Sequence, residues 1–156
     1  MVSKDFNVRA LRVIPLFNSL ADVELEELRS ALKVLKLGAG EVVVKEGDAA
    51  DKLFILVSGE VQVVKNYLEP GAQMMDILPP GSYFGEMALV GDEAVRSATV
   101  VSSEECHFVT LDRDAFKTIL TAHPTIAITM LDETFRRLRQ VNELLAMLQS
   151  EQDQED

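Results

Sequence analysis

The spacing of apolar residues changes twice along the chain and divides it into three segments. In the first segment, apolar residues recur at nearly helical spacing, at Val23, Leu25, Leu28 and Leu32. Acidic residues fill the first turn of this predicted helix, where the positive end of the helix dipole favours them. Ser19 and Asp22 are both candidate start signals, and the segment closes at Gly38 and Gly40.

The second segment, residues 41–111, contains short apolar runs rich in β-branched residues. These runs are residues 41–45, 52–57, 60–64, 98–101 and 106–111. Turn signals such as Gly47-Asp48 and Pro79-Pro80-Gly81 separate them. Short strands at this spacing predict a β-barrel or jelly roll rather than alternating β-α-β units.

In the third segment the apolar period is helical again. Asp112 can cap a helix over residues 113–120, and His123-Pro124 interrupts the chain before a long helix over residues 125–149. The predicted fold is therefore mainly β, a jelly roll with flanking helices, in a single domain over residues 1–150. Its parts are an N-terminal helical segment (1–38), a β-roll (39–111), C-terminal helices (112–149) and an acidic, solvated tail (151–156).

Composition and charge narrow the classes of function. The chain has 156 residues, enough for one domain with a hydrophobic core. Its 15 basic and 26 acidic residues give a net charge of −11, which argues against binding of nucleic acids or anionic membranes by the whole domain. No apolar run is long enough to cross a membrane, and no signal peptide opens the sequence. The single cysteine, Cys106, excludes an intrachain disulfide and favours a cytoplasmic location.

Catalytic and metal-binding patterns are scarce. The two histidines, His107 and His123, have no cysteine or histidine neighbours at ligand spacing, so we expect no metal and no cofactor. The common motifs of nucleotide triphosphatases, zinc proteases and serine hydrolases do not occur. We therefore expect that the chain is not an enzyme.

One stretch inside the β segment, residues 84–98, lacks the character of a strand. After Gly85, the residues Glu86-Met87-Ala88-Leu89 are good helix formers, and the free N–H groups at the start of such a short helix form an anion site. Arg96 can return to this site and hold phosphate oxygens through two donors. Glu86 is an acceptor suited to a sugar hydroxyl.

This stretch resembles the phosphate-binding cassette of cyclic-nucleotide-binding domains. Two motifs carry the resemblance, Phe84-Gly85-Glu86-Met87-Ala88-Leu89 and Arg96-Ser97-Ala98-Thr99-Val100, and glycine-containing turns such as Glu46-Gly47-Asp48 and Ser58-Gly59 match the family's framework. The resemblance covers residues 10–145. It looks closer to the bacterial catabolite activator branch than to eukaryotic kinase regulatory subunits, because Val95 stands where the latter typically have proline.

The resemblance implies a ligand-binding role for seven residues of the cassette. Glu86 would bind the ribose 2′-hydroxyl, and Arg96 would pair with the cyclic phosphate. Ser97 would add a hydroxyl to the phosphate or the base edge. The other members of the set are Gly85, Met87 and Ala88, which would offer backbone contacts, and Ala98.

The resemblance also implies roles for the long helix. Arg137 and Asn142 fall near positions that face the ligand in the catabolite activator branch, so they are candidate base-capping residues. We expect cAMP to be favoured over cGMP, although Ser97 leaves the choice of base open.

The long helix also has an apolar row that could pair with a second copy. Leu131, Phe135, Leu138, Asn142 and Leu145 follow a 4-3 spacing, and Leu138, Val141, Leu145 and Leu148 form an equally readable offset row. A lone asparagine at such a position often fixes a two-stranded parallel coiled coil. Homodimerisation through residues 125–149 and packing of this row against the chain's own barrel both remain open.

We expect a regulatory module that binds a cyclic nucleotide and signals to a protein effector by rearrangement of the long helix. Since no helix-turn-helix follows residue 150, we do not expect this chain alone to bind DNA. The alternative is a dimeric interaction scaffold of the same fold whose pocket is empty or holds a different ligand.

Overall fold

The computed structural model describes residues 9–86 and 95–155. Before the sheets, the chain forms the helix α1 (Arg9–Arg12), a 3-10 turn (Pro15–Phe17) and the helix α2 (Asp22–Arg29). The strands of the described residues are β1 (Lys33–Leu37), β2 (Val42–Val44), β3 (Lys52–Ser58), β4 (Val61–Lys65), β5 (Gln73–Leu78), β6 (Tyr83–Phe84), β7 (Thr99–Ser102) and β8 (Cys106–Asp112). The last two helices are α3 (Arg113–Ala122) and α4 (Pro124–Glu155).

The strands form two antiparallel sheets that face each other. The first sheet has the strand order β1-β8-β3-β6, and the second has the order β2-β7-β4-β5. The chain crosses repeatedly between the sheets, since β1, β3, β6 and β8 lie in one and β2, β4, β5 and β7 in the other. This arrangement, with helices at both ends of the chain, confirms the predicted jelly roll.

The strand β3 is buried on both faces and joins two hydrophobic cores. Leu53 and Ile55 belong to the core between the first sheet and the helices. Phe54 and Leu56 point to the other face and pack inside the roll, where the rings of Phe54 and Phe84 stack with centroids 5.2 Å apart. Burial on both faces explains why this run is continuously apolar rather than alternating.

The helix boundaries follow from local hydrogen bonds. Asp112 caps α3, because its carboxylate accepts a hydrogen bond from the N–H of Ala115 at 2.8 Å, as predicted. Of the two candidate start signals for α2, Asp22 is the first helical residue, and the Glu24 carboxylate accepts from the N–H of Ala21 at 3.0 Å. Pro124 opens α4, where its missing N–H costs nothing.

Three strands were not predicted, and the tail is helical. β1 lies in the segment predicted as helical (1–38), where it pairs along its whole length with β8. β1 and β5 are edge strands with mainly exposed side chains, so neither has a clear alternation, and β6 has only two residues. α4 extends to Glu155 through the predicted acidic tail, because glutamate and glutamine are good helix formers and no proline or glycine follows Pro124.

Within the described ranges 9–86 and 95–155, no helix is long and apolar enough to cross a membrane. In the same part of the chain, no group of three or more His, Cys, Asp or Glu side chains is arranged to hold a metal ion. Cys106 is a free, buried thiol inside the roll, and burial raises its pKa.

Candidate functional site

A cavity of about 240 Å³ opens between the two sheets, beside the end of β6. Apolar side chains of β2, β4, β5 and β7 form one wall, and polar groups are contributed by four separate parts of the chain. These polar lining residues are Asp76, Tyr83, Glu86, Arg96, Ser97 and Arg137. A cavity with apolar walls and a few converging polar groups is typical of a small-molecule site.

Gly85 brings the backbone close to Arg96. Its φ is +89°, and a β-carbon at this position would overlap the Nη1 atom of Arg96 and the carbonyl oxygen of Lys52. Glycine is therefore required here both for its positive φ and for its lack of a side chain. As a result, the guanidinium of Arg96 packs directly against the backbone of Gly85, the residue before Glu86.

The guanidinium of Arg96 is buried with one side unpaired. Only 6% of the residue is exposed, its Nη2 donates to the carbonyl of Lys52 at 2.9 Å, and its Cζ lies 5.5 Å from the centre of the Phe54 ring. Its Nη1 has no hydrogen-bond partner among the residues that the structure describes. Burial lowers the pKa of Arg96, while the charges of Asp51 and Glu86 act in the opposite direction. A buried donor without a partner is costly, so this group is prepared to receive an acceptor.

The backbone around Arg96 is held on both sides. Its N–H donates to the carbonyl of Asp48 at 2.8 Å, and its carbonyl accepts from the N–H of Gly47 at 2.9 Å. Lys65 of β4 donates to the carbonyl of Ser97 at 2.7 Å. These bonds fix where the arginine side chain leaves the backbone, which limits the entropy lost when it binds a ligand.

Glu86 is a partly buried carboxylate at the same cavity. Burial raises its pKa above the ordinary value of 4.5, and the nearby charge of Glu133 acts in the same direction. Its own backbone hydrogen bond and the positive charges of Arg137 and Arg96 oppose this shift. A desolvated carboxylate gains from a hydroxyl donor, since removal from water leaves its lone pairs without partners.

One turn of the helix α4, the turn that contains Arg137, lies against the cavity. Arg137 lines the cavity and makes an ion pair of 3.0 Å with Glu133, one turn earlier on the same helix. Burial raises the pKa of Tyr83, and the neighbouring carboxylate of Glu133 acts in the same direction. The cavity is therefore in contact with both the sheets and the C-terminal helix.

The structure brings most of the predicted site residues together. The members that line the one cavity are Gly85, Glu86, Arg96, Ser97, Ala98 and Arg137. Met87 and Ala88 lie outside the described residues. Asn142 is exposed on α4 and does not line the cavity, since it lies about 7.5 Å further along the helix axis than Arg137.

Two polar lining residues were missed from the sequence. Asp76 lies in the edge strand β5, which was itself not predicted, and no local motif marks it. Tyr83 lies within the glycine-bounded stretch that precedes Glu86, so its proximity to the site could have been inferred. The proximity of Glu133 to the site could not be inferred, because nothing local in the sequence sets the rotation of α4 about its axis.

Comparison with known proteins decides the family. The family model described as the cyclic nucleotide-binding domain matches residues 34–123, more than half of the chain. The chain belongs to this family. It is a regulatory cyclic-nucleotide-binding module, and the predicted family resemblance is confirmed.

Two relatives and one solved structure show the range of the family. A cAMP-dependent protein kinase regulatory subunit from Emericella nidulans is 36% identical over 70% of this chain and 26% of its own length. A cyclic AMP receptor protein from Thermus thermophilus is 30% identical over 88% of this chain and 63% of its own length. The crystal structure of the Thermus thermophilus catabolite activator protein superposes with a TM-score of 0.76 at 30% identity, covering 86% of this chain and 62% of that one.

The chain therefore spans about a quarter of the fungal subunit and less than two thirds of the bacterial receptor. These relatives are regulatory proteins rather than enzymes, in agreement with the expectation from the sequence.

Proposed function

We propose that this domain binds cAMP in preference to cGMP and that binding is transmitted by α4. The observation that carries the proposal is the buried Arg96 with its unpaired Nη1, in the same cavity as the desolvated carboxylate of Glu86. A cyclic nucleotide presents both matching groups, an anionic phosphate and a ribose hydroxyl. The names of the relatives, a cAMP-dependent kinase subunit and a cyclic AMP receptor, support adenine as the base.

The charge distribution suits one small anion. The net charge of −11 repels polyanions, whereas the cavity, which also holds the carboxylates of Asp76 and Glu86, presents the buried guanidinium of Arg96 with its Nη1 unpaired among the described residues. The single negative charge of a cyclic phosphate can pair with Arg96 through two parallel hydrogen bonds. The acidic surface thus excludes nucleic acid without excluding a mononucleotide.

We assign the remaining contacts by position. Ser97 and Ala98, next to Arg96, would contact the phosphate or the base edge, and Met87 and Ala88 would contribute backbone groups. Arg137 lines the cavity and would reach the base, while Asn142 would do so after a shift of α4 along the cavity. In this mechanism the ligand changes the population of two positions of α4, and the favoured position is read by a protein effector.

A second proposal concerns homodimerisation through α4. Leu131, Phe135, Leu138 and Leu145 lie on this helix with about half of each residue exposed. Only Ile126, near the helix start, is buried against the core. An apolar row that does not pack against its own barrel is best covered by a second copy, with Asn142 setting the parallel register. This observation favours homodimerisation of the regulatory module and does not bear on the alternative of a scaffold whose pocket is empty or holds a different ligand.

We also propose a reducing compartment such as the cytoplasm. The chain has a single cysteine, Cys106, which is a free thiol, and chains without disulfide-forming cysteine pairs are typical of reducing compartments.

Calorimetric titration of the purified protein with cAMP and with cGMP tests the ligand. We expect tighter binding of cAMP, and a loss of about 10- to 150-fold in the Arg96→Ala variant, because a charge-assisted hydrogen bond to the phosphate is removed. Arg139→Ala removes an exposed arginine of α4 that does not line the cavity and serves as the control. Binding of both nucleotides only in the millimolar range or weaker would show the ligand proposal to be wrong.

A further inference from the structure

The strand β4 contacts the cavity wall at Ser97 through a side chain. The ladder of paired residues between β4 and β7 ends at Val64 and Thr99. One residue further along β4, the ammonium of Lys65 donates to the carbonyl oxygen of Ser97 at 2.7 Å. Because Ser97 lines the cavity, this bond extends the contact of β4 beyond the end of the ladder to the candidate site.

A carboxylate faces the same ammonium. The Oε1 atom of Glu46 lies 3.2 Å from the Nζ atom of Lys65, and the Glu46 side chain is 29% exposed. This oxygen is buried and accepts no hydrogen bond among the residues that the structure describes. The charge of Lys65 therefore offsets part of the cost of removing the carboxylate from water, while its bond to Ser97 is made by the same group.

The backbone of Glu46 and of the turn after it is bonded to the same segment. The N–H of Glu46 donates to the hydroxyl of Thr99 at 3.0 Å, and the N–H of Gly47 donates to the carbonyl of Arg96 at 2.9 Å. The turn that follows β2 thus lies along the residues that lead into β7. Lys65 joins this turn, the end of β4 and the carbonyl of Ser97 at one point.

These contacts fix both peptide groups next to Ser97. Gly47 holds the carbonyl of the peptide before it, and Lys65 holds the carbonyl of the peptide after it. Since the second peptide is planar and trans, the N–H of Ala98 points away from Lys65. The direction in which the Ser97 side chain leaves the backbone is set together with the two peptides, and both Ser97 and Ala98 line the cavity.

We propose that Lys65 and Glu46 are a positioning pair for nucleotide binding: the ammonium, held by the carboxylate, fixes the Ser97–Ala98 peptide at the cavity before the ligand arrives. This inference rests on the proposed function. In the described part of the chain, neither member of the pair lines the cavity, so both act through Ser97 and Ala98. A site that is ordered in advance loses less entropy on binding and therefore binds more tightly.

The backbone amide of Ala98 reports on this contact in the absence of ligand. Its N–H belongs to the same peptide as the Ser97 carbonyl, so loss of the Lys65 bond should move its resonance in an amide NMR spectrum. We expect a clear movement in Lys65→Met and a smaller one in Lys65→Arg, which keeps a donor. Lys36→Met is the matched control, because it removes a lysine that is ion-paired with Glu105 at 3.3 Å, and it should leave the resonance in place.

Calorimetric titration with cAMP measures the effect on binding. Lys65→Met should weaken binding about two- to tenfold, the range expected for one lost hydrogen bond, and Lys65→Arg should recover most of the loss. Glu46→Gln should cause part of the same loss and add nothing to Lys65→Met, since both substitutions disrupt one arrangement. The double variant also serves where Lys65→Met alone leaves a buried carboxylate that prevents folding. Lys36→Met should bind like the wild type.

The outcomes separate this inference from the proposed function. If the wild type binds cAMP and Lys65→Met binds with the same affinity, the positioning pair is wrong while the ligand stands. Weaker binding with an unmoved Ala98 resonance, or an equal loss in Lys36→Met, would also overturn it, because Lys65 would then act other than through this peptide. If neither nucleotide binds the wild type, the proposed function is wrong and the positioning role is wrong with it.

Discussion

The Nη1 atom of Arg96 occupies the space that a β-carbon at Gly85 would need. The two residues are eleven positions apart in the sequence, yet the position of the Arg96 side chain excludes any residue with a β-carbon at position 85. The bare backbone of Gly85 lets the guanidinium pass beneath the chain, where it reaches the carbonyl of Lys52 and the face of the Phe54 ring. Among the described residues, a buried cation is thereby held beside the cavity without a carboxylate partner on its Nη1 side.

We predict that Gly85→Ala damages both stability and nucleotide binding. The substitution adds strain at a φ of +89° and displaces Arg96, so the free energy of unfolding should fall by about 1–3 kcal/mol. Denaturant unfolding and calorimetric titration measure the two effects.

Gly40→Ala is the matched control for Gly85→Ala. Gly40 has a φ of +80°, but a β-carbon added there would meet no described atom within 4 Å beyond its chain neighbours, so this variant has the backbone strain without the collision. It should lose stability and keep its nucleotide affinity. Equal affinity in both variants would contradict the steric role of Gly85.

We predict that Glu86→Gln stabilises the fold at neutral pH while weakening ligand binding. Folding raises the pKa of Glu86 above 4.5, so the folded state favours the protonated carboxyl. Its contribution to stability is full below that value and is lost as the pH rises through the folded pKa. Glutamine does not ionise, so the variant should gain stability relative to the wild type as the pH rises from about 4 to 8.

Unfolding curves across this pH range, together with cAMP titration, check the prediction. The affinity should fall about 10- to 150-fold through loss of a charged hydrogen-bond acceptor. Glu143→Gln, at an exposed site, should follow the wild-type stability profile. A variant that is less stable than the wild type at neutral pH would show that the Glu86 carboxylate favours folding.

The roll and its flanking helices could be predicted because their signals are local. The continuous apolar run of β3, the Asp112 cap and the Pro124 start each depend on neighbours in the sequence. β1 and β5 could not be predicted in the same way. They are edge strands that gain their stability from pairing with the distant strands β8 and β4, and this pairing leaves little mark on their own side chains.

The same distinction between local and long-range signals applies to the candidate site. Glu86 and Arg96 are identified by a cassette motif within a short stretch, and both line the cavity. Tyr83 and Glu133 are fifty residues apart, and the effect of the Glu133 carboxylate on the pKa of Tyr83 depends on where α4 lies against the roll. Packing of a long helix is a tertiary property, so this proximity becomes visible only in the structure.

We predict an alkaline loss of stability that depends on Tyr83. Its pKa is raised above the ordinary value of 10, first by burial and then by the neighbouring Glu133 carboxylate, so folding favours the neutral phenol. This contribution is full below pH 10 and is lost as the pH rises toward the folded pKa. Absorbance titration of the Tyr67→Phe variant, in which Tyr83 is the only tyrosine, should show ionisation of Tyr83 only above pH 10. Ionisation at or below that value would contradict the burial of this phenol.

We predict that Leu138→Glu converts a dimer into a monomer. Leu138 belongs to both apolar rows of α4 and is 54% exposed in the single chain, so a partner helix would bury it. A glutamate at this position would place two facing negative charges in the interface between the helices. The association should weaken by about 3 kcal/mol or more. Gln140→Glu introduces the same residue about 200° around the helix, on the side away from both rows, and should leave the mass unchanged. Sedimentation of the three proteins over a range of concentrations gives the masses, and a wild type that stays monomeric throughout would rule out the α4 dimer.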